Sequence, residues 1–143
     1  MVRIWIFILL LTAVSAHAGE IEVFAGANST TYDETSEANT WGISLRAQYN
    51  FTHADNGWFV NINSPGISPV ASLVSGGYIW RTTGSDFFWE WGVGGGYGLV
   101  FGPQVEGIGG FGYRLTSNFY FDFPIVLGTS TGVQWTPYLG FSF

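Results

Sequence analysis

The sequence predicts an all-β protein: an eight-stranded antiparallel transmembrane β-barrel of the outer-membrane type, preceded by a cleaved signal peptide. Three observations lead to this fold class. The chain begins with a short apolar leader, most of the remainder alternates between apolar and polar residues, and turn-forming residues recur at regular intervals. An alternation with period two is typical of strands, whereas helices repeat every 3.6 residues.

The first 18 residues have the organisation of a secretory signal peptide. Arg3 precedes the apolar run 4–11, and AHA at 16–18 forms an A-x-A cleavage site. The apolar run is too short for the ~20 residues of a membrane-spanning helix. We therefore expect residues 1–18 to be removed and residues 19–143 to form a single barrel domain.

Eight segments of the mature chain have the strand period, although the parity of the first and fourth is not clear from sequence. The predicted strands are 20–28, 41–51, 58–63, 70–81, 87–101, 105–115, 119–127 and 133–143. The predicted connections are 29–39, 52–57, 64–69, 82–85, 102–104, 116–118 and 128–132. Most of these strands approach or exceed the roughly 9–11 residues that cross a bilayer.

The stretch FFWEWGVGGGYGLVF at 87–101 indicates which face of the barrel is apolar. One face is aromatic and aliphatic, and the opposite face carries Glu90 and four glycines: Gly92, Gly94, Gly96 and Gly98. An eight-stranded barrel has room inside only for side chains. We expect the aromatic face to contact lipid and the glycines to line the lumen, which reverses the pattern of a soluble ligand-binding barrel.

Five charged residues share the non-aromatic face and predict an interior polar network: Arg46, Glu90, Glu106, Arg114 and Asp122. Buried charges must be paired, so the simplest role of this network is to fill and rigidify the lumen. We expect Glu90 to lie beside Arg114 on the neighbouring strand and Glu106 to lie far from Glu90. A polar relay or a paired-carboxylate site is the alternative.

The C-terminal segment supports an outer-membrane location. Leu139, Phe141 and Phe143 alternate on one face, which resembles the signal by which bacterial outer-membrane barrels are handed to their assembly machinery. The expected location is the outer membrane of a Gram-negative bacterium. The expected partners are its lipids, lipopolysaccharide and the assembly machinery. With a net charge of −6 and only four basic residues, nucleic acid is excluded as a partner.

No complete catalytic or metal-binding motif occurs in the sequence. Cysteine is absent, and the single histidine of the mature chain, His53, lies in the polar turn 52–57. The spacing of His, Cys and acidic residues matches no metal site, so we expect no metal and no cofactor. The alternating glycines open no helix and therefore form no phosphate-binding loop.

Several segments resemble the lipid A palmitoyltransferase (PagP) family. They are TWG at 40–42, GWFVNINS at 57–64, GGYIW at 76–80, the glycine-rich fifth strand, GFGY at 110–113 and FPIVLGTSTG at 123–132. The resemblance implies palmitoyl transfer from a phospholipid to lipid A, with an interior acyl slot and lateral openings near prolines. Its catalytic Asp-Ser pair falls on Asn63 and Ser64, and its histidine falls near Phe24. The serine is thus kept, but the acid and the imidazole are not.

These observations favour a small non-enzymatic outer-membrane barrel in envelope integrity or in interactions with lipids and partners. The first alternative is a lipid A or phospholipid acyltransferase that uses Ser64. The second is a surface adhesin or phage receptor, for which the acidic connection 29–39 would be the recognition surface.

Overall fold

The computed structural model describes residues 19–31, 39–51, 56–65, 72–82 and 84–143. The predicted signal peptide, His53 and most of the predicted adhesive connection lie outside these ranges. The strands are β1 (Gly19–Thr31), β2 (Asn39–Phe51), β3 (Asn56–Pro65), β4 (Leu73–Arg81), β5 (Phe87–Gly98), β6 (Gly102–Arg114), β7 (Phe119–Gly128), β8 (Gly132–Trp135) and β9 (Tyr138–Ser142). Within the described ranges, no helix is long and apolar enough to cross a membrane.

The strands close into an eight-stranded antiparallel barrel, which confirms the predicted fold class. Each strand from β1 to β7 pairs with the next, and β8 and β9 together pair with β7 on one side and with β1 on the other. The predicted eighth strand is thus a single strand position of the barrel that is divided into β8 and β9, with an interruption at Thr136 and Pro137. Proline lacks the N–H that a ladder position needs, which explains the interruption.

Two three-residue turns of the same kind connect β5 to β6 and β7 to β8. Gly98 pairs with Gly102, and Gly128 pairs with Gly132. Gly102 and Gly132 have φ of 69° and 66°, in the left-handed region that ends such hairpin loops and that glycine adopts without strain. The turn predicted at 102–104 is therefore wrong: the chain reverses at 99–101, and residues 102–104 belong to β6.

The alternation places the aromatic face outside and the polar face inside, as predicted. In β2, Trp41, Ile43 and Leu45 are exposed while Ser44 and Arg46 are buried. The structure also resolves the parity of the two unclear strands. The inward residues include Glu22, Phe24 and Asn28 of β1 and Leu73, Ser75, Ile79 and Arg81 of β4.

Several aromatic rings nevertheless lie inside the barrel, and glycines on facing strands make room for them. A Cβ on Gly140 would lie 2.3 Å from the Phe24 ring, and one on Gly112 would lie 2.2 Å from the Phe88 ring. Phe24 and Phe88 pack with Tyr120 and Tyr138 in one buried cluster. The interior is therefore filled by rings seated on glycine positions.

Candidate functional site: the barrel interior

We call the end of the barrel that carries Gly19 and Phe143 the terminal end, and the end that carries the turns 99–101 and 129–131 the loop end. The interior contains a group of charged side chains, an amide and hydroxyl network, and an acidic group near the loop end. The sequence predicted a single network, whereas the structure has three separate parts.

The charged cluster consists of Glu22, Arg46, Arg81, Glu90 and Asp122. Arg46 Nη1 lies 3.2 Å from Glu90 Oε1, and its Nη2 contacts Asp122 Oδ2. Arg81 Nη1 lies 2.5 Å from Glu22 Oε2, and its Nε lies 3.2 Å from Glu90 Oε2. Glu90 therefore bridges both arginines. All five side chains are at most 4% exposed, so three carboxylates and two guanidinium groups face one another rather than water.

Aromatic rings form the second set of contacts to the two arginines. The Arg46 guanidinium carbon lies 4.4 Å from the Phe24 ring centroid and 5.0 Å from that of Tyr138. The Arg81 guanidinium carbon lies 4.7 Å from the Phe88 ring centroid. Cation–π attraction is stronger when both groups are desolvated. The rings and the carboxylates thus hold the same two guanidinium groups in place.

Arg114 does not join Glu90, contrary to the sequence expectation. Glu90 pairs with Gly110 on β6, because the true turn at 99–101 shifts the register relative to a turn at 102–104. Arg114 pairs instead with Tyr120, and its guanidinium carbon lies 5.3 Å from that ring centroid. It lines a cavity of about 10 Å³, enough for one water molecule, together with Glu22 and Arg81.

Two members of the charged cluster were missed from the sequence, namely Glu22 and Arg81. Both lie on the strands whose parity the sequence left open. Arg81 pairs with Glu90 on β5, but counting back from the predicted connection 82–85 places Arg81 opposite residue 86. The sequence therefore carried no register signal that would have brought Arg81 to Glu90.

The amide and hydroxyl network occupies the interior between the charged cluster and the loop end. Ser44 Oγ contacts Tyr138 OH and Asn63 Oδ1, and it donates to Asn61 Oδ1 at 3.1 Å. Asn63 Nδ2 donates to Gln134 Oε1 at 3.1 Å. The oxygen of the Asn63 amide thus contacts a side chain of β2, and its nitrogen donates to a side chain of β8 across the lumen.

Asn63 and Ser64, the positions matched to the palmitoyltransferase pair, are consecutive residues near the end of β3. Asn63 points into the lumen, and successive side chains of a strand point to opposite faces, so Ser64 lies on the other face of β3. Ser72 Oγ donates to Ser64 Oγ at 3.3 Å. The histidine-matched residue Phe24 lies within the charged cluster.

The glycine stripe of β5 faces the interior, where side chains of neighbouring strands cover it. A Cβ on Gly94 would lie 3.0 Å from the Phe59 ring, and one on Gly96 would lie 2.7 Å from Ser75 Cβ. Gly92 and Gly98 face Ile79 and Leu73 in the same way, each at 3.4 Å. The four lumen glycines therefore create room for residues of β3 and β4 rather than an open slot.

Glu106 lies apart from the charged cluster, as the sequence predicted. It pairs with Gly94, four residues along β5 from Glu90, and accepts a hydrogen bond from Gln104 Nε2. It is therefore in the loop half of the lumen, away from Arg46, Asp122 and Arg114.

The outer surface carries a nearly continuous set of large apolar side chains. Trp58 and Tyr78 ring centroids are 5.1 Å apart, and those of Phe87 and Trp89 are 5.3 Å apart. The proposed assembly residues Leu139, Phe141 and Phe143 are all exposed on this surface. Soluble monomers rarely expose apolar patches of this extent.

No protein-family model and no curated protein matches the chain. Solved structures do match it. The attachment invasion locus protein Ail of Yersinia pestis, in complex with the heparin analogue sucrose octasulfate, has a TM-score of 0.58 at 17% identity, covering 87% of this chain and 99% of that one. A second Ail structure has a TM-score of 0.59 at 16% identity with the same coverage. Neisserial surface protein A (NspA) has a TM-score of 0.54 at 14% identity, covering 87% and 96%. At these identities the similarity shows the fold, a small closed barrel shared with Ail and NspA.

Proposed function

We propose that this chain is an integral outer-membrane barrel without enzymatic activity, which serves the envelope through its lipid-facing surface and its partners. The observation that carries the proposal is the combination of an apolar aromatic exterior with a filled, ion-paired interior. Water is an unfavourable solvent for that exterior, whereas the hydrocarbon of a bilayer suits it. A closed barrel also leaves no strand edge unpaired in lipid.

The filled interior argues against conduction and against acyl transfer. The charged cluster spans the lumen from β1 to β7, and every member has an oppositely charged partner. An acyl slot would need the space along Gly94 and Gly96 that Phe59 and Ser75 occupy. At Asn63 an amide replaces the family's acid, and Phe24 stands near the position of its histidine, so the palmitoyltransferase likeness supplies no complete catalytic set.

The proposal includes the route and orientation of the protein. Residues 1–18 would be removed as a signal peptide, and Phe143, Phe141 and Leu139 would engage the barrel assembly machinery. The terminal end would then face the periplasm and the loop end the exterior. The lipid contacts would include lipopolysaccharide along the outer half of the barrel.

We expect the mass spectrum of lipid A to be the same in cells with and without this protein, once it is verified as folded in the outer membrane. Ser64→Ala should leave both the folding and the spectrum unchanged, because the positions matched to the family's acid and histidine carry Asn63 and Phe24. A lipid A species heavier by one acyl chain, lost in Ser64→Ala, would contradict the non-enzymatic proposal.

We also expect no retention of the folded protein on heparin. Ail was crystallised with a heparin analogue, but binding a polyanion requires exposed cations. In this chain Arg46 and Arg81 are buried, and Arg114 lies at the terminal end. The connections 32–38, 66–71, 99–101 and 129–131 contain no lysine or arginine. Retention on heparin that declines with increasing salt would contradict this expectation and would favour an attachment role like that of Ail.

A further inference from the structure

Glu106 is a buried carboxylate with no cationic partner among the described residues. It is 1% exposed, and its Oε2 atom has no hydrogen-bond partner. Its Oε1 atom accepts a hydrogen bond from Gln104 Nε2. Arg46 and Arg81 pair with other carboxylates, Arg114 lies at the terminal end, and the sequence has no lysine. Burial of an ionised carboxylate without a compensating charge is costly, so this position calls for an explanation.

Neutral oxygen atoms converge on the same part of the lumen. Gln104 Oε1 and Thr131 Oγ1 also lack hydrogen-bond partners, and both residues are at most 5% exposed. These two atoms lie 2.9 Å and 2.3 Å from the point where a Cβ on Gly128 would stand, and Gly128 pairs directly with Glu106. Ser75 is buried, its hydroxyl has no hydrogen-bond partner, and it pairs with Gly96, which pairs in turn with Gln104. One carboxylate and three neutral oxygens thus occupy the same part of the lumen.

We propose that Ser75, Gln104, Glu106 and Thr131 form a binding site for Ca²⁺ inside the loop end of the barrel. The cation supplies the positive charge that Glu106 lacks and accepts the lone pairs of the buried amide and hydroxyl oxygens. The site stands apart from the charged cluster and does not depend on whether the barrel is an enzyme. It departs from the sequence expectation of no metal, which considered only clusters of His, Cys and acidic residues.

The donor set favours calcium over other metals. All four side chains offer oxygen, the ligand of hard cations, and none offers the nitrogen or sulfur that zinc or copper prefers. Ca²⁺ accepts irregular coordination completed by water or backbone carbonyls, whereas Mg²⁺ requires a near-octahedral arrangement. Among the described residues no group of three or more His, Cys, Asp or Glu could hold a metal. A single carboxylate therefore places the affinity in the weak class, with Kd of about 10⁻⁴–10⁻³ M.

The turn 129–131 provides a route to the site. Thr131 is buried, but its neighbours Thr129 and Ser130 are exposed at the loop end. Hydrogen bonds from Thr129 N to Val105 O and from Ser130 Oγ to Pro103 O, both at 3.1 Å, hold this turn to β6. A bound cation adds a further link between the β7–β8 turn and β6, which gives binding a measurable effect on stability.

The test is the thermal unfolding of the refolded protein in detergent, measured with increasing Ca²⁺ at constant ionic strength. We expect Tm to rise with Ca²⁺ and to remain unchanged with the same charge concentration of Na⁺. Glu106→Gln should abolish the rise, and Thr131→Val should weaken the apparent affinity several-fold. Asp86→Asn, which removes an exposed acid, is the matched control and should respond as the unmodified protein does.

Three results would overturn the site. They are no Ca²⁺ response in the unmodified protein, an equal response in Glu106→Gln, and an equal response to Na⁺. A Glu106→Gln variant that is more stable with no Ca²⁺ response in either protein would identify Glu106 as a neutral buried acid. If Glu106→Gln does not fold, Thr131→Val and Gln104→Leu decide: an unchanged Ca²⁺ affinity in both would refute the proposal.

Discussion

Replacement of Arg46 by methionine is expected to destabilise the barrel by about 3–5 kcal/mol, the usual cost of breaking a buried ion pair by removing one partner. Methionine keeps much of the volume, but Glu90 and Asp122 lose the guanidinium that contacts both of them. Phe24 and Tyr138 lose their cation as well. The measurement is urea unfolding in detergent micelles, followed by tryptophan fluorescence.

Arg114→Met is the matched control, because it makes the same chemical change at the terminal end. Arg114 has no ion pair within the described ranges, and only Tyr120 faces its guanidinium at 5.3 Å. We expect a loss well below that of Arg46→Met. Adding Asp122→Asn to Arg46→Met should recover part of the stability, since one uncompensated charge disappears. Equal losses in Arg46→Met and Arg114→Met would mean that the charged cluster does not hold the barrel together.

The outside of this barrel could be predicted from sequence because a bilayer imposes a simple rule. Every second residue of a strand must tolerate hydrocarbon. The outward residues of a strand therefore form a recognisable apolar set, as do Trp41, Ile43 and Leu45, and likewise Leu139, Phe141 and Phe143. No comparable rule governs the lumen. Its residues need only fill space and satisfy one another, so Phe24 and Ile79 lie inside beside Glu22 and Arg81. In β1 and β4 some inward residues are apolar as well. The two faces of these strands then differ little in polarity, and the sequence does not show which face points inward.

The register between strands depended on a single turn that its composition disguised. Leu99, Val100 and Phe101 are apolar and continue the pattern of β5, so the sequence favoured a turn at the next Gly-Pro pair. The useful signal is the spacing of glycines: GLVFG at 98–102 has the same form as GTSTG at 128–132, which the sequence predicts to be a turn. With the turn placed at 102–104, the predicted register brought Glu90 close to Arg114 instead of opposite Gly110. An error in one loop thus became an error in the predicted site.

The interior has a consistent construction in which glycines and large side chains occur as facing pairs. Phe24 pairs with Gly140 across β1 and β9, and Phe88 pairs with Gly112 across β5 and β6. The same rings contact the guanidinium groups of Arg46 and Arg81. Glycines thus determine where the rings lie, and the rings help to determine where the arginines lie. Substitution of one of these glycines should therefore disturb the charged cluster even though no charged residue is changed.

Gly140→Ala tests this dependence and is expected to cost about 1–3 kcal/mol, the range for overpacking a filled core. The new methyl group would lie 2.3 Å from two atoms of the Phe24 ring. That ring has little freedom, because Tyr138 packs against it with centroids 6.0 Å apart and Arg46 lies over its face. The same urea titration measures the loss, and Gly109→Ala is the control, since a Cβ there meets nothing within 4 Å.

The decisive comparison is a double-mutant cycle with Phe24→Leu, which removes the ring atoms that the methyl group would meet. The double variant should be more stable than the sum of the two single losses predicts, with a coupling energy of at least about 0.5 kcal/mol. A positive coupling shows that Gly140 acts through the Phe24 ring. Strictly additive losses would show that the barrel absorbs the methyl group by moving its backbone, and the link from glycine to ring to arginine would then fail.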